Sequence, residues 1–154
     1  MIKKSVITRR IMFLLILIWL GVIYWFSSRT AVQSGQSSAP ITNAIMNIFR
    51  QDSANASLFL KIEFFVRKSA HLFLFVVLGF LSTIYFSHFE INKKLVYLFS
   101  VLLCLASGMF DEIHQLFVVG RACRVFDMFV DTLGGIIGTT IVVIFLYIKT
   151  KKAN

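Results

Sequence analysis

Four long apolar runs separated by polar stretches set the pattern of this chain. The first is Ile11–Phe26, interrupted only by Gly21. The second runs from about Ala70 to Phe86. The third is Leu95–Phe110, broken by small residues such as Ser100 and Ser107. The fourth is Met128–Ile148, with Asp131 near its start. A membrane-crossing helix needs about 20 residues at about 1.5 Å each. With their polar flanks, the runs predict spans over about 10–28, 68–87, 94–112 and 127–148. Lipid admits only helices or closed barrels, and no run shows the alternation of a barrel strand. The expected fold is therefore all-α: a polytopic membrane protein, a single domain over residues 1–154, built as a four-transmembrane-helix bundle.

The stretch between the first two runs divides in two. Ser27–Ala39 is polar and Ser-rich and reads as a loop. From Pro40 to Leu60, Ile41, Ile45, Ile48 and Phe49 recur at helical spacing, and Pro40 is well placed at a helix start. This predicts a short amphipathic helix in the first external loop, either lying on the membrane surface or packed on the bundle. The first run is also compatible with a signal peptide. It is long for that role, and its best small-residue site, Ser37–Ser38–Ala39, is followed by Pro40. An uncleaved helix is the expectation.

Composition agrees with a bilayer environment. Hydrophobic types make up 58 % of the chain, charged types 15 %, and the mean hydropathy is +0.82. A soluble domain holds about 25 % charged residues. The net charge of +9 does not signal nucleic-acid binding, because much of it sits in clusters beside the apolar runs. These are Lys3, Lys4, Arg9 and Arg10; Lys93 and Lys94; and Lys149, Lys151 and Lys152. Lys and Arg accumulate on the cytoplasmic side, where they also attract anionic lipids. Both termini and the 93–94 loop are therefore expected to be cytoplasmic, in a bacterial-type cytoplasmic membrane. Ser27–Glu63 and Asp111–Arg124 are expected outside. That side carries Arg29, Arg50, Lys61, Arg67, Lys68, Arg121 and Arg124, balanced by Asp52, Glu63, Asp111, Glu112, Asp127 and Asp131. Cys104 lies in an apolar run and Cys123 in a loop, at different depths, so no disulfide is expected.

The candidate chemistry gathers at the outer end. Arg67, Lys68 and His71 lead into the second span, with Arg67 and His71 four apart on one face. Asp111, Glu112, His114 and Gln115 leave the third, followed by Gly120 and Arg121. Asp127 and Asp131 lead into the fourth, on a face that continues through Gly134 and Gly138. Membrane-embedded charges are costly and are expected to turn inward and pair, with Arg67 or Arg121 matched to Asp111, Asp127 or Asp131. An ion-paired network that only holds the bundle together is the bland alternative. Gly134-x-x-x-Gly138 indicates close helix packing, and Gly120 a turn with positive φ. His71, His114, Asp111, Asp127 and Asp131 are metal-ligand types. Glu112-x-His114 is not the H-E-x-x-H motif, however, and neither a metal nor any other cofactor is expected. His88, in the cytoplasmic loop, is assigned no role.

These residues, taken in order, resemble the VanZ-like membrane proteins. The matching stretches are Phe26–Ser27–Ser28, Arg67–Lys68–Ser69–Ala70–His71 with Leu78–Gly79, and Asp111–Glu112–Ile113–His114–Gln115 through Phe117 to Gly120–Arg121. The match continues into Asp127, Asp131–Thr132–Leu133–Gly134–Gly135 and Gly138. Three positions depart from the common pattern: Leu74 where a Glu is frequent, Phe75 where a Tyr is, and Val119 where a Pro precedes Gly-Arg. The resemblance implies a helical membrane protein and, for the namesake, reduced susceptibility to teicoplanin. The residues themselves suggest an outer-face pocket in which Arg67, Lys68, His71, His114 and Arg121 receive an anionic ligand. Asp111, Asp127 and Asp131 would orient those cations, with Gln115 alongside and Glu112 toward the loop. The expected partners are membrane lipids, with a lipid-linked cell-wall precursor or a glycopeptide as the candidate ligand. Two alternatives stay open: a hydrolase or transferase acting on a lipid-linked envelope substrate, with His71 or His114 as base, and a structural partner of another membrane protein. Oligomeric state is not legible.

Overall fold

A computed structural model describes residues 2–49 and 55–153. Arg50 and Asp52, and the side chains of Lys3, Lys4, Lys149 and Lys152, lie outside the described residues. Among the described residues five helices follow one another: α1 Ile2–Ser27, α2 Ala31–Ile48, α3 Ala56–Ser87, α4 Lys93–Gln115 and α5 Val125–Ala153. No strand occurs among the described residues. Four segments among the described residues are long and apolar enough to cross a membrane: Val6–Ser27, Ala56–Ser87, Lys93–Gln115 and Val125–Ile148. The chain is thus a multi-pass membrane protein. Four crossings return it to the side where it began. The distal end of the bundle holds the C-terminus of α1, the first half of α3, the C-terminus of α4 and the start of α5.

The centre of the bundle is the α3–α5 seam, and small residues make it. A Cβ at Gly138 would strike the Val76 carbonyl and sit 2.9 Å from the Phe80 nitrogen. One at Gly134 would meet the Leu72 carbonyl and lie 3.1 Å from Phe75 Cβ, and one at Gly79 would strike the Gly135 carbonyl. Backbones that approach this closely gain van der Waals contact where lipid supplies no hydrophobic drive. Hydroxyls in the seam also need partners. Thr83 Oγ1 and Ser82 Oγ donate to the Gly79 carbonyl at 2.7 and 3.0 Å. Phe75, Leu78 and Cys104 are fully buried beside it. Helix α1 packs more loosely and is fastened by Trp19 Nε1, which donates to the Leu74 carbonyl at 2.8 Å. Cys104 is buried and Cys123 exposed, and they are not joined.

The region between α1 and α3 differs from its sequence reading. Most of Ser27–Ala39 is not a loop: α2 starts at Ala31, capped by Thr30, whose side chain accepts from Gln33 N–H while the Gln33 side chain accepts from Thr30 N–H. Pro40 lies inside α2 rather than at its start. The hydrogen bond it cannot make to the Gln36 carbonyl is a local loss the helix absorbs. The helix rests on α3 through small polar residues, with Ser38 and Thr42 buried and Ser38 Oγ donating to Glu63 Oε1 at 3.1 Å. Met46 is fully buried, whereas Ile41, Ile48 and, just past the end of the helix, Phe49 are exposed. Leu60 belongs to α3, which is 32 residues long and begins at Ala56 behind an Asn55 cap, well before the apolar run does. Asp111–Gln115 are likewise helical, in the last turns of α4, so the distal loop is only 116–124.

Candidate functional site

The α3–α5 seam carries His71 and Asp131 to the distal end side by side, and α4 adds Asp111. His71 Nδ1 lies 3.8 Å from Asp131 Oδ1, beyond hydrogen-bond reach. One ligand-type atom from each of His71, Asp111 and Asp131 falls within 4.8 Å of the others. Gln115 Nε2 donates to Asp111 Oδ2 at 2.9 Å and fixes that carboxylate one turn along α4. Gly108 leaves room for Asp131, since a Cβ there would lie 3.3 Å from Asp131 Cβ. Asp131 is 1 % exposed, and neither of its oxygens has a hydrogen-bond partner.

The charge pairing differs from the expected one. Lys68 Nζ, not an arginine, pairs with Asp127. Arg121 donates from Nε to the Arg29 carbonyl at 3.2 Å. Arg67 makes no ion pair or hydrogen bond among the described residues. Burial, then the neighbouring Arg67, pushes the Arg121 guanidinium below its ordinary value, while Asp111, Asp127 and Glu112 oppose the shift; it remains a cation. Glu112 reaches the distal loop while staying buried. It is 1 % exposed, and its Oε2 accepts from the Arg124 N–H at 2.7 Å, tying down the distal loop. The loop is also held by Ala31 N–H donating to the Val119 carbonyl at 3.3 Å. It turns at Gly120, where φ is 74° and a Cβ would crowd Ala31 Cβ at 3.0 Å.

His114 is separated from the other candidates. Its ring stacks on Tyr24 with centroids 4.4 Å apart, and its Nε2 lies 3.1 Å from Ser28 Oγ. Together with Asp111 it lines a side cavity against α1. Arg67, Lys68, His71, Asp111, Gln115, Arg121, Asp127 and Asp131 do converge, from α3, α4, the distal loop and α5.

Two cavities meet at Arg67, His71 and Arg121. The smaller, about 100 Å³, is polar and includes Lys68, Asp127 and Arg124 in its wall. The larger, about 400 Å³, runs between α1, α2 and α3. Its body is apolar, with Trp19, Val22, Phe26, Val66 and Leu74. Its polar part holds Arg29, Arg67, His71 and Arg121 with Ser34, Ser37 and Ser38, and no carboxylate among the described residues. Sequence reasoning missed Trp19, Arg29 and the α2 serines. The signal for Arg29 was a cation three residues after Phe26 and four after Trp25, at the end of an apolar run. Its guanidinium sits 4.2 Å from the Trp25 ring centroid and donates to Ser37 Oγ at 2.6 Å.

No curated protein and no solved structure matches the chain closely enough to count as a relative. A family profile described as VanZ/LLP1 matches residues 12–146, from the first span to the end of the fourth, and takes in every residue of the convergent site. The chain therefore belongs to the VanZ/LLP1 family.

Proposed function

We propose that this protein holds an anionic amphiphile of the cell envelope, of the lipid-linked cell-wall precursor class, at the distal end of its bundle. By shielding that ligand it lowers susceptibility to teicoplanin-type glycopeptides. The observation that carries the reading is the 400 Å³ cavity, apolar along its body, with Arg29, Arg67 and Arg121 at its polar end and no carboxylate in its wall among the described residues. Unpaired cations at membrane depth are costly, and Arg67 makes no ion pair or hydrogen bond among the described residues. A phosphate or diphosphate headgroup would neutralise them, and guanidinium geometry suits bidentate phosphate contact. A hydrocarbon tail would lie along Trp19, Val22 and Leu74. Leu74 itself, standing where related sequences often carry Glu, keeps that wall apolar.

The reading places the distal end outside. Support comes from the opposite end, where Arg9, Arg10, Lys93 and Lys94 flank the spans as cytoplasmic cations do.

The test is teicoplanin protection in cells that express the chain. Arg67→Ala and Arg121→Ala should each abolish protection while the protein remains in the membrane at wild-type level. Each charge-assisted contact is worth about 1.5–3 kcal/mol, or roughly ten- to a hundredfold in affinity. Full protection by both variants at normal expression would overturn the proposal.

A further inference from the structure

We propose that His71, Asp111 and Asp131 form a binding site for a divalent transition-metal ion of the zinc class. The proposal goes beyond the amphiphile reading and does not depend on it. It begins with Asp131, a carboxylate 1 % exposed between three helices, neither of whose oxygens accepts a hydrogen bond. Buried charges in proteins are normally paired or bound to metal. The cations nearby are otherwise engaged or directed. Lys68 is taken by Asp127, Arg121 by the Arg29 carbonyl, and Arg67 lines the cavities. Among the described residues Asp111 accepts a side-chain hydrogen bond from the Gln115 amide alone. Two carboxylates thus share one buried space with a single imidazole, and a divalent ion would balance their charge.

The geometry suits such an ion. Ligand atoms around zinc, at about 2.0–2.2 Å from the metal, stand about 3.3–3.6 Å apart in a tetrahedron. The three donors already lie within 4.8 Å of one another, with His71 Nδ1 and Asp131 Oδ1 at 3.8 Å. Contraction by about an ångström, within the reach of side-chain rotation, closes the set. Two restraints orient it: the Gln115 amide on Asp111, an outer-sphere contact of the type that tunes metal sites, and the space left by Gly108 beside Asp131. One nitrogen and two carboxylate oxygens favour zinc or a neighbouring first-row ion. Calcium takes six to eight oxygens, and magnesium keeps most of its water. Three protein ligands leave a fourth position for water or for a ligand atom, the arrangement of open zinc sites. His71 also lies in the walls of both cavities that meet at the arginines.

The test uses the full chain purified in detergent, stripped with a chelator and titrated with zinc chloride alone. Wild type should retain one zinc per chain after desalting and gain thermal stability on binding. Asp131→Asn and His71→Gln should lose stoichiometric zinc, and Gln115→Ala should weaken binding by about ten- to a hundredfold. His88→Ala, at the opposite end of the bundle, should bind as wild type does. Substitution with cobalt(II) gives an independent readout on the wild-type chain, should the variants fail to fold. Visible bands of nitrogen and oxygen ligation without a thiolate charge-transfer band are expected. Failure of wild type to take up zinc overturns the proposal. So does equal retention by the folded Asp131→Asn and His71→Gln variants, or a cobalt spectrum showing thiolate ligation.

Discussion

The two ends of this bundle use charge in opposite ways. At the end that holds the termini, Arg10, Lys93, Lys94 and Lys151 are exposed. Each can keep its hydration, and their shared effect is to set which way the helices thread. At the distal end, Asp111, Glu112 and Asp131 are 5 %, 1 % and 1 % exposed, and most charges there touch a named partner. The difference shows what a membrane protein gains by moving charge from rim to interior. A solvated charge can be exchanged with little consequence, whereas a buried one fixes its neighbours and makes a demand that a ligand or an ion can meet.

Substitutions sharpen this contrast. The largest effect is expected not at a charge but at the seam that supports the distal end. Gly138→Leu would drive a side chain into the Val76 carbonyl and force α3 and α5 apart. Overpacking of this kind costs about 3 kcal/mol or more. The expected outcome is loss of monodisperse protein on gel filtration, with His71 and Asp131 no longer adjacent; a well-behaved, thermally normal variant would contradict the seam's role. Next comes Lys68→Ala, which strands Asp127. The side chains are 21 % and 12 % exposed, so the cost lies between those of buried and surface pairs, at about 2 kcal/mol. Adding Asp127→Asn should recover much of that loss in a double-mutant cycle read by thermal unfolding. Smallest is Lys93→Ala or Lys94→Ala at the other end, where stability should change by less than about 0.5 kcal/mol. A large loss there would erase the distinction between the two ends.

The sequence made the four crossings legible because hydropathy alone decides them, and the family resemblance was legible in the polar stretches at their ends, such as Asp111–Gln115 and Gly120–Arg121. It also pointed to most of the convergent cluster, since the depth of each charge along its span can be counted. Rotation of one helix against another cannot be counted in that way. Asp111 and His114 are three residues apart, yet Asp111 reaches the cluster while His114 turns to Tyr24 and Ser28. The course of α2 was hidden for a different reason. Its buried face is Gly35, Ser38 and Thr42 with a single large apolar residue, Met46, rather than an apolar stripe, so its first half reads as a polar loop until α3 is placed beside it. The capping pair Thr30 and Gln33 was present as a start signal, but Pro40 gave a competing one. The arginine-lined cavity depends on that helix, so it could not be read before α2 was placed.

The length of α3 carries a consequence for where this protein works. Its 32 residues extend about 48 Å, whereas the hydrocarbon layer is about 30 Å thick. The surplus is rigid, and α2 leans on it through Ser38 and Glu63. The height of α2 above Asp131 is therefore fixed by the polypeptide and not by the lipid. In a thicker bilayer the lipid boundary rises along this fixed strut toward Arg29 and Arg67; in a thinner one it recedes and leaves them wetter. Bilayer thickness then sets how much water reaches those two arginines.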